Sequence, residues 1–474
     1  MSYKDLRTFI GELDKAGELV RIKPEVDWDG EVGAIARAAY KRKGPAMLFE
    51  NVKGSKIPLF CGAMQEQRKF GMMIDCRADI RTQIDFLTGA MAKMRDPVVI
   101  TGDAACQENV LLRTDIDLGI FPSPRWHPKD GGRYIGTLGC IVSKDPDTGI
   151  RNVAVVREMV EGRNKVGVNC EQHNGVHLRK YRDRGEPMPF ATAIGVPPAV
   201  LVAAIAKSPY GVDEYGVAGG IAGEPIPLVN CKTVDLEVPA DAEIVLEGHI
   251  DPDTSTWELE GPFGEFTGHF SSQVATKKPT GVLTAITYRN SPIMQGTSPG
   301  VGPNEMSLVG TMVFAPAWKA SLLAAGIPGV KDLNVMEMGC AGFICVVSLS
   351  KSYYAGNAQQ VMSFLQCLGH FPKITICVDE DIDVFDTDMV LWALASRVQP
   401  HRDVDITLPN YFGCSLDPSI PDRLKPMPTP VGSRMMIDAT KSFKEDVVFS
   451  PLVVDDETTK RFIASRWREY GFSE

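Results

Sequence analysis

The chain has 474 residues, of which 44% are hydrophobic and 23% charged, and its formal net charge is −10. That is enough material for roughly three domains with sizeable buried cores. The acidity excludes a broad nucleic-acid footprint, which needs clustered Lys and Arg. No apolar run of about 18 residues or more is present, so neither a spanning helix nor a membrane partner is expected. The opening MSYKDLRTFIGELDKAG is charged throughout and lacks the apolar stretch of a signal peptide. Eleven cysteines are scattered singly, with no C-x-x-C pair. They read as buried free thiols in a reducing compartment, so a cytoplasmic location is expected.

In chain order, residues 2–16 predict a helix: Ser2 can cap it, Leu6, Phe9, Ile10 and Leu13 form one stripe, and Gly17 stops it. ELVRIKPEV predicts a strand, EVGAIARAAYKRKG a helix and AMLFENV a strand, a mixed α/β start that runs to about residue 115. Short apolar or alternating runs then dominate: YIGTLGCIVSK, NVAVVREMVEG, FATAIGV, EIVLEGHI and GVLTAITYR, punctuated by Gly, Pro and Asp. They predict a barrel-like β domain. NGVHLRKYRDRG and PPAVLVAAIAKS interrupt it as helices, and SPYGVDEYGVAGG reads as a turn carrying Glu214 before a glycine-rich strand. After about 305, helix and strand alternate again through APAWKASLLAAG, CAGFICVVSLS, AGNAQQVMSFLQCLGH, PKITICVDEDIDVF and TDMVLWALASRV, as in an α/β layer. The tail DDETTKRFIASRWREYGF predicts a charged amphipathic helix of the kind that docks on a neighbouring subunit. The expected fold class is α/β (mixed α+β): an N-terminal α/β domain over 1–115, a central split β-barrel over 116–305, and a C-terminal α/β domain with a terminal helix over 306–474.

The stretch ELEGPFGEFTGHF places Glu260 and Glu265 on either side of Gly261-Pro262-Phe263-Gly264. Residues five apart on an unbroken strand face opposite sides, so only a bend lets the two acids converge. Glycine and proline supply that bend. An isolated pair of acids around a turn is ordinarily a solvated loop. Here aromatic and glycine residues surround it, and a carboxyl in an apolar bend holds its proton towards neutral pH, as a general acid must. A cation is then needed to keep one acid ionised, and Arg157 in RNVAVVREMVEG is the candidate. Asn152 and Arg157 can equally be read as a strand-end cap and an interior ion pair. In CEQHNGVH, His173 and His177 share a face if the segment is helical, but there is no HExxH of a zinc protease. Asn152, His173 and Glu214 together would make a hard site suited to Mg²⁺ or Mn²⁺ bridging a phosphate. No P-loop and no GxGxxG offers another nucleotide site.

These segments resemble the UbiD family of prenylated-flavin-dependent reversible decarboxylases. The resemblance covers nearly the whole chain and is carried by EGPFGEFTGH, the N-x4-R of Asn152 and Arg157, DEYGVAGGIAGEPIPLVNCKT, VDEDIDVFDTDMVLWALASR and GSRMMIDAT. It implies a central barrel that binds prenylated FMN and a C-terminal domain that mediates assembly, with the site between the two. Arg157, Glu260 and Glu265 match the catalytic Glu-Arg-Glu network, with Glu265 as the proton donor. Asn152, His173 and Glu214 match the ligands of an Mn²⁺ or Mg²⁺ ion that ties down the cofactor phosphate, with K⁺ nearby. Gln172, Ser208 and Lys373 fall at or beside cofactor-contacting positions. His269 is either a supporting residue of the site or a backbone-bonded end of its motif.

The implied reaction is reversible, non-oxidative decarboxylation of an aromatic or heteroaromatic acid, with CO₂ and that acid as small-molecule partners. A prenyl-flavin synthase would supply the cofactor, and the chain would assemble as a homodimer or hexamer. The segment MQGTSPGVGPNEMSLVG corresponds to the substrate pocket. It carries no histidine for a phenol and offers Asn304 and Glu305, which favours a heteroaromatic acid over a hydroxybenzoate; Asn304 is otherwise a helix cap. The competing classes are an FMN-dependent oxidoreductase, a non-catalytic flavin carrier and a metal hydrolase.

Overall fold

The computed structural model describes residues 3–102, 104–206, 208–350, 354–369, 371–424, 430–441, 444 and 447–473. The first helix spans Leu6–Lys15; Asp5 caps it, accepting from the Thr8 backbone N–H at 2.8 Å, whereas Ser2 lies outside the described residues. Its buried stripe of Leu6, Phe9, Ile10 and Leu13 has the expected spacing. This helix and Glu31–Lys41 accompany a four-stranded sheet ordered Leu19–Ile22, Ala46–Phe49, Leu59–Cys61, Met294–Gln295. The helices Gln67–Met73 and Ile80–Met91 follow, neither of them expected from the sequence.

The centre is a curled, half-barrel sheet. Its strand order is Arg151–Val155, Cys140–Lys144, Met188–Ile194, Ile244–Ile250, Thr280–Tyr288, Lys165–Val168, Glu158–Val160, and Asn109–Leu112 also pairs with Thr280–Tyr288. Met188–Ile194 and Ile244–Ile250 are almost wholly buried, so both faces of the sheet are covered there. A register shift at Glu247/Gly248 marks a bulge, and bulges bend and coil the strand that carries them. Asn109–Leu112 thus belongs to the barrel although it precedes residue 116, and Met294–Gln295 belongs to the N-terminal sheet although it precedes residue 305.

One expected element is corrected. The segment after Glu214 is a helix, Glu214–Ala222, and not a glycine-rich strand. Asp213 caps it through the Tyr215 N–H at 3.0 Å. Gly219 and Gly220 let it lie against the end of Ile80–Met91 and the chain just after it: a Cβ there would sit 2.4 Å from the Arg95 and Ala90 carbonyl oxygens respectively. This packing overrides the low helix propensity of glycine.

The C-terminal layer is a five-stranded mixed sheet ordered Val330–Val335, Ile344–Leu349, Ile374–Asp379, Met435–Ala439, Val404–Ile406. Its three inner strands are parallel, and two of them, Ile344–Leu349 and Ile374–Asp379, are buried along most of their length, as strands covered on both faces are. A continuous 20-residue helix, Glu305–Ala324, leads into this layer. It is long and apolar enough to cross a bilayer, but most of it is buried inside the protein. Its middle, Gly310–Phe314, is a π-turn just ahead of Pro316, which has no N–H to donate and clashes with the carbonyl four residues back. The terminal helix Glu457–Ser465 has no buried residue.

Candidate active site

A cavity lies between the half-barrel and the C-terminal layer. The barrel side contributes Thr137, Asn152–Arg157, Asn169, Glu171–Asn174, Ser208, Glu214 and Thr297; the C-terminal side contributes Met306, Val309, Phe314, Ala341, Phe371, Cys414 and Leu416.

At one end the expected bend is formed. The strand Glu258–Glu260 stops at Gly261, whose φ of +85° suits glycine alone, and the chain turns back so that the Glu265 N–H meets the His269 carbonyl at 2.9 Å. The turn rests on the segment 127–131. The Gly131 N–H donates to the Pro262 carbonyl at 2.7 Å, and a Cβ on Gly131 would lie 1.9 Å from the Gly261 carbonyl oxygen. Asp130 accepts from the Gly264 N–H at 2.9 Å and contacts His127 Nδ1 at 3.1 Å, while His127 Nε2 faces the Pro299 carbonyl at 2.7 Å. Gly131→Ala is therefore expected to lose about 1–3 kcal/mol of stability by overpacking and roughly a hundredfold in activity by displacing both acids. Thermal unfolding and turnover, measured together, check it.

Arg157 stands in the gap between two barrel strands and joins the acids. Its Nε and Nη2 donate to the two Glu260 carboxylate oxygens at 2.9 and 3.0 Å, and its Nη1 donates to Glu265 at 2.5 Å. All three side chains are buried. Burial alone would pull the guanidinium down, but Glu265 and Glu260 override it and hold its pKa above the ordinary value. The two acids part company. Burial pushes Glu260 up, yet its two-pronged pairing with Arg157 and the Tyr134 hydroxyl at 2.9 Å bring it below the ordinary carboxylate value. Burial raises Glu265 to about 7, against the pull of Arg157 and with the help of the nearby Glu171 and Glu260. Of the two acids, Glu265 lines the cavity, and Glu260 stands behind the guanidinium. Two carboxyls with separated pKa values are the arrangement that splits the roles of proton carrier and fixed anion.

At the other end, Asn152 Oδ1 and His173 Nδ1 are 3.1 Å apart. Asn152 is oriented by its Nδ2, which donates to Asn174 Oδ1 at 2.7 Å, and Ser143 Oγ donates to the same oxygen at 2.9 Å. Glu214, in the first turn of its helix, accepts from the Val153 N–H at 2.7 Å. It is 3% exposed, and burial pushes its carboxyl up to about 8 with only backbone amides opposing. A buried carboxylate facing amides and the like-charged Asp213 lacks a cation, and an ion bound there would supply one. The residues therefore fit a hard divalent ion. Among the described residues, no cluster of three His, Cys, Asp or Glu side chains offers another metal site. Gln172 and Ser208 line the cavity beside this set.

Three residues expected at the site do not line the cavity. Lys373 is not among the lining residues: its ammonium pairs with Asp417 at 2.9 Å and donates to Ser419 at 2.6 Å. Asn304 caps the helix that follows it, accepting from the Met306 and Ser307 N–H groups at 2.9 and 3.1 Å, with Ser307 Oγ returning the bond to complete a capping box. Glu305 turns away to accept from the Tyr40 hydroxyl at 2.9 Å and the Met64 N–H at 3.2 Å. Their neighbours Met306 and Val309 take the cavity wall instead. The His269 ring meets the Thr267 carbonyl, and His177 bonds Ser143 Oγ at 2.9 Å. Sequence reasoning did not single out His127, Asp130, Tyr134, Glu171, Asn174 or Thr297. Of these, only Asn174 was signalled, by adjoining His173.

The sequence matches all three domains of the 3-octaprenyl-4-hydroxybenzoate carboxy-lyase family, UbiD: the N-terminal domain over 10–86, the Rift-related domain over 98–302 and the C-terminal domain over 311–439. The chain belongs to the UbiD family and is a carboxy-lyase. It is 34% identical to an uncharacterized protein of Archaeoglobus fulgidus over 99% of both chains. It is similar to the vanillic acid decarboxylase of Sedimentibacter hydroxybenzoicus, with 30% identity and complete coverage of both chains. The TM-score is 0.88 to the closed form of that enzyme and 0.82 to its open form. It is also similar to the UbiD-class enzyme HmfF of Pelotomaculum thermopropionicum in complex with FMN, at 31% identity over 96% of this chain and 98% of that one, with a TM-score of 0.81. An evolved dimeric form of HmfF was solved with prFMN; it is 30% identical, covers 95% and 97% of the two chains and has a TM-score of 0.79.

Proposed function

We propose that the chain is a reversible, non-oxidative decarboxylase of an aromatic or heteroaromatic carboxylic acid that works with prenylated FMN, with Glu265 as its proton donor. One observation carries the reading: a single cavity holds, at one end, two acids split across Arg157 and, at the other, the Asn152–His173–Glu214 set suited to an ion on a phosphate. When bound, the modified flavin supplies an electron-accepting ring system for the electron pair of the breaking carbon–carbon bond. The chain's own residues do the rest. Arg157, kept cationic, orients the substrate carboxylate. Glu260 stays ionised and fixes the guanidinium. Glu265, protonated near neutrality and facing the cavity, delivers its proton to the carbon that loses CO₂. The apolar wall of the C-terminal layer keeps water from that step. Asn152, His173 and Glu214 would hold Mn²⁺ or Mg²⁺ against the flavin phosphate, with Gln172 and Ser208 beside it. The uncovered terminal helix supports self-association of the chain.

The test is co-expression with a prenyl-flavin synthase, followed by absorbance spectra and assays of CO₂ release and ring hydrogen–deuterium exchange on a panel of aromatic acids. Neither release nor exchange from any acid by the flavin-loaded protein would refute the reading, and consumption of NAD(P)H would identify a flavin oxidoreductase. The ion has its own check. Chelation, or Glu214→Gln, is expected to weaken flavin retention at least about tenfold, read as flavin lost on gel filtration, with Mn²⁺ restoring it to the chelated wild type.

A further inference from the structure

Resting on the decarboxylase reading, we infer that the acid taken by this site has a hydrocarbon ring body, aryl, fused-ring aryl or aryl-acrylic, without a hydroxyl or ring N–H remote from its carboxylate. Arg157 and Glu265 fix where the carboxylate lies, and the polar set around Asn152 lies at the phosphate end. Among the described residues, the wall left for the ring is formed by Phe266, Val309, Phe314, Ala341, Phe371 and Leu416, with the Cys414 thiol beside them. Phe371 is its centre: its ring centroid lies 6.2 Å from that of Phe266 and 5.7 Å from that of Phe314. No side chain of the six can donate or accept a hydrogen bond. Val309 and Phe314 lie within the continuous helix, where most backbone groups bond along the helix and Pro316 withholds one N–H from the turn before it. Thr297 does present a buried, unpartnered hydroxyl to the cavity, but its N–H bonds Thr137 Oγ1 at 2.9 Å, which places it on the barrel side. Asn304 and Glu305, the nearest polar side chains in sequence, are committed to the helix cap and to Tyr40 and Met64. A phenol against this wall loses its water and gains, among the described residues, no partner stronger than the Cys414 thiol, a weak donor and acceptor. A site built for a phenol would instead show an orphaned polar side chain there.

The experiment compares matched acids, cinnamate with para-coumarate and naphthoate with a hydroxynaphthoate, on the flavin-loaded enzyme. It reads kcat/KM, ring exchange and, by calorimetry, Kd. The hydrocarbon member of each pair is expected to be favoured roughly 10- to 100-fold in both binding and turnover. Met306→Gln, which puts an amide at the cavity edge, should narrow the gap, and an unchanged preference in that variant would count against the inference. Equal or better handling of the hydroxylated members overturns it and leaves the decarboxylase reading intact. Failure of every acid to bind or react overturns both.

Discussion

Glu265→Gln is expected to keep the flavin and lose roughly 10²–10⁴-fold in turnover, the contribution of a positioned general acid. The amide has the same shape as the carboxylic acid and can still meet Arg157 Nη1, so binding should survive while proton delivery does not. The wild-type pH profile carries the same information. As the proposed donor, Glu265 can deliver a proton only when it holds one, and burial raises its pKa to about 7, so decarboxylation should fall as pH climbs through about 7. The residual activity of the variant should lack that limb. The stability sign follows from linkage: a carboxyl raised on folding contributes fully below its ordinary value of 4.5, and that contribution is lost as pH rises to about 7. The variant should therefore gain on the wild type across that window. Wild-type turnover in the variant would remove Glu265 from the chemistry.

Arg157→Met is expected to be the most damaging substitution for stability. It leaves Glu260 and Glu265 buried without their cation, and removal of one partner from a buried ion pair costs about 3–5 kcal/mol. The deficit should depend on pH. In the wild type the lowered pKa of Glu260 contributes stability above the ordinary carboxyl value and loses it as pH falls through the depressed one. Without the guanidinium, burial is opposed only by the Tyr134 hydroxyl and Lys278, so the pKa rises; once it stands above the ordinary value the sign reverses, and stability is present at low pH and lost as pH rises. The gap between the two proteins should be smaller near pH 5 and larger near pH 8, as denaturant unfolding at both values would show. A gap that does not change with pH would mean that Glu260 is not ionised in the folded wild type. Activity should vanish, because the substrate carboxylate loses its anchor and Glu265 its positioning partner.

The acid end was legible because its instructions are local. The Gly-Pro turn announces the bend, and a buried-strand arginine needs an anion. The helices and strands with clean apolar periods were legible for the same reason. What escaped depends on contacts distant in the chain. Asp130 meets the Gly264 N–H across 134 positions, and no composition signal in HPKDGG points to that turn. The helix after Glu214 was hidden because three glycines in EYGVAGGIA argue against one until the close approach of Arg95 is seen. Asn304 was open between a pocket contact and a helix cap, and the structure shows the cap, with Ser307 three residues later completing its box. Lys373 pairs with an anion in its own layer, Asp417, which the sequence around it does not announce. Glu305 could not have been placed at all, because its partner Tyr40 lies 265 positions earlier.

The N-terminal layer supplies none of the described residues around the cavity, whose lining begins at Thr137. It nonetheless moors the first turn of the long helix through the Tyr40 hydroxyl and the Met64 N–H. The next residue and two farther along that helix, Met306, Val309 and Phe314, face the space where a ring would lie. The pocket's dimensions are thus inherited from a remote part of the chain that never meets the molecule being held. Slackening that tether would be felt as a looser fit for the acid, with the proton chemistry left untouched.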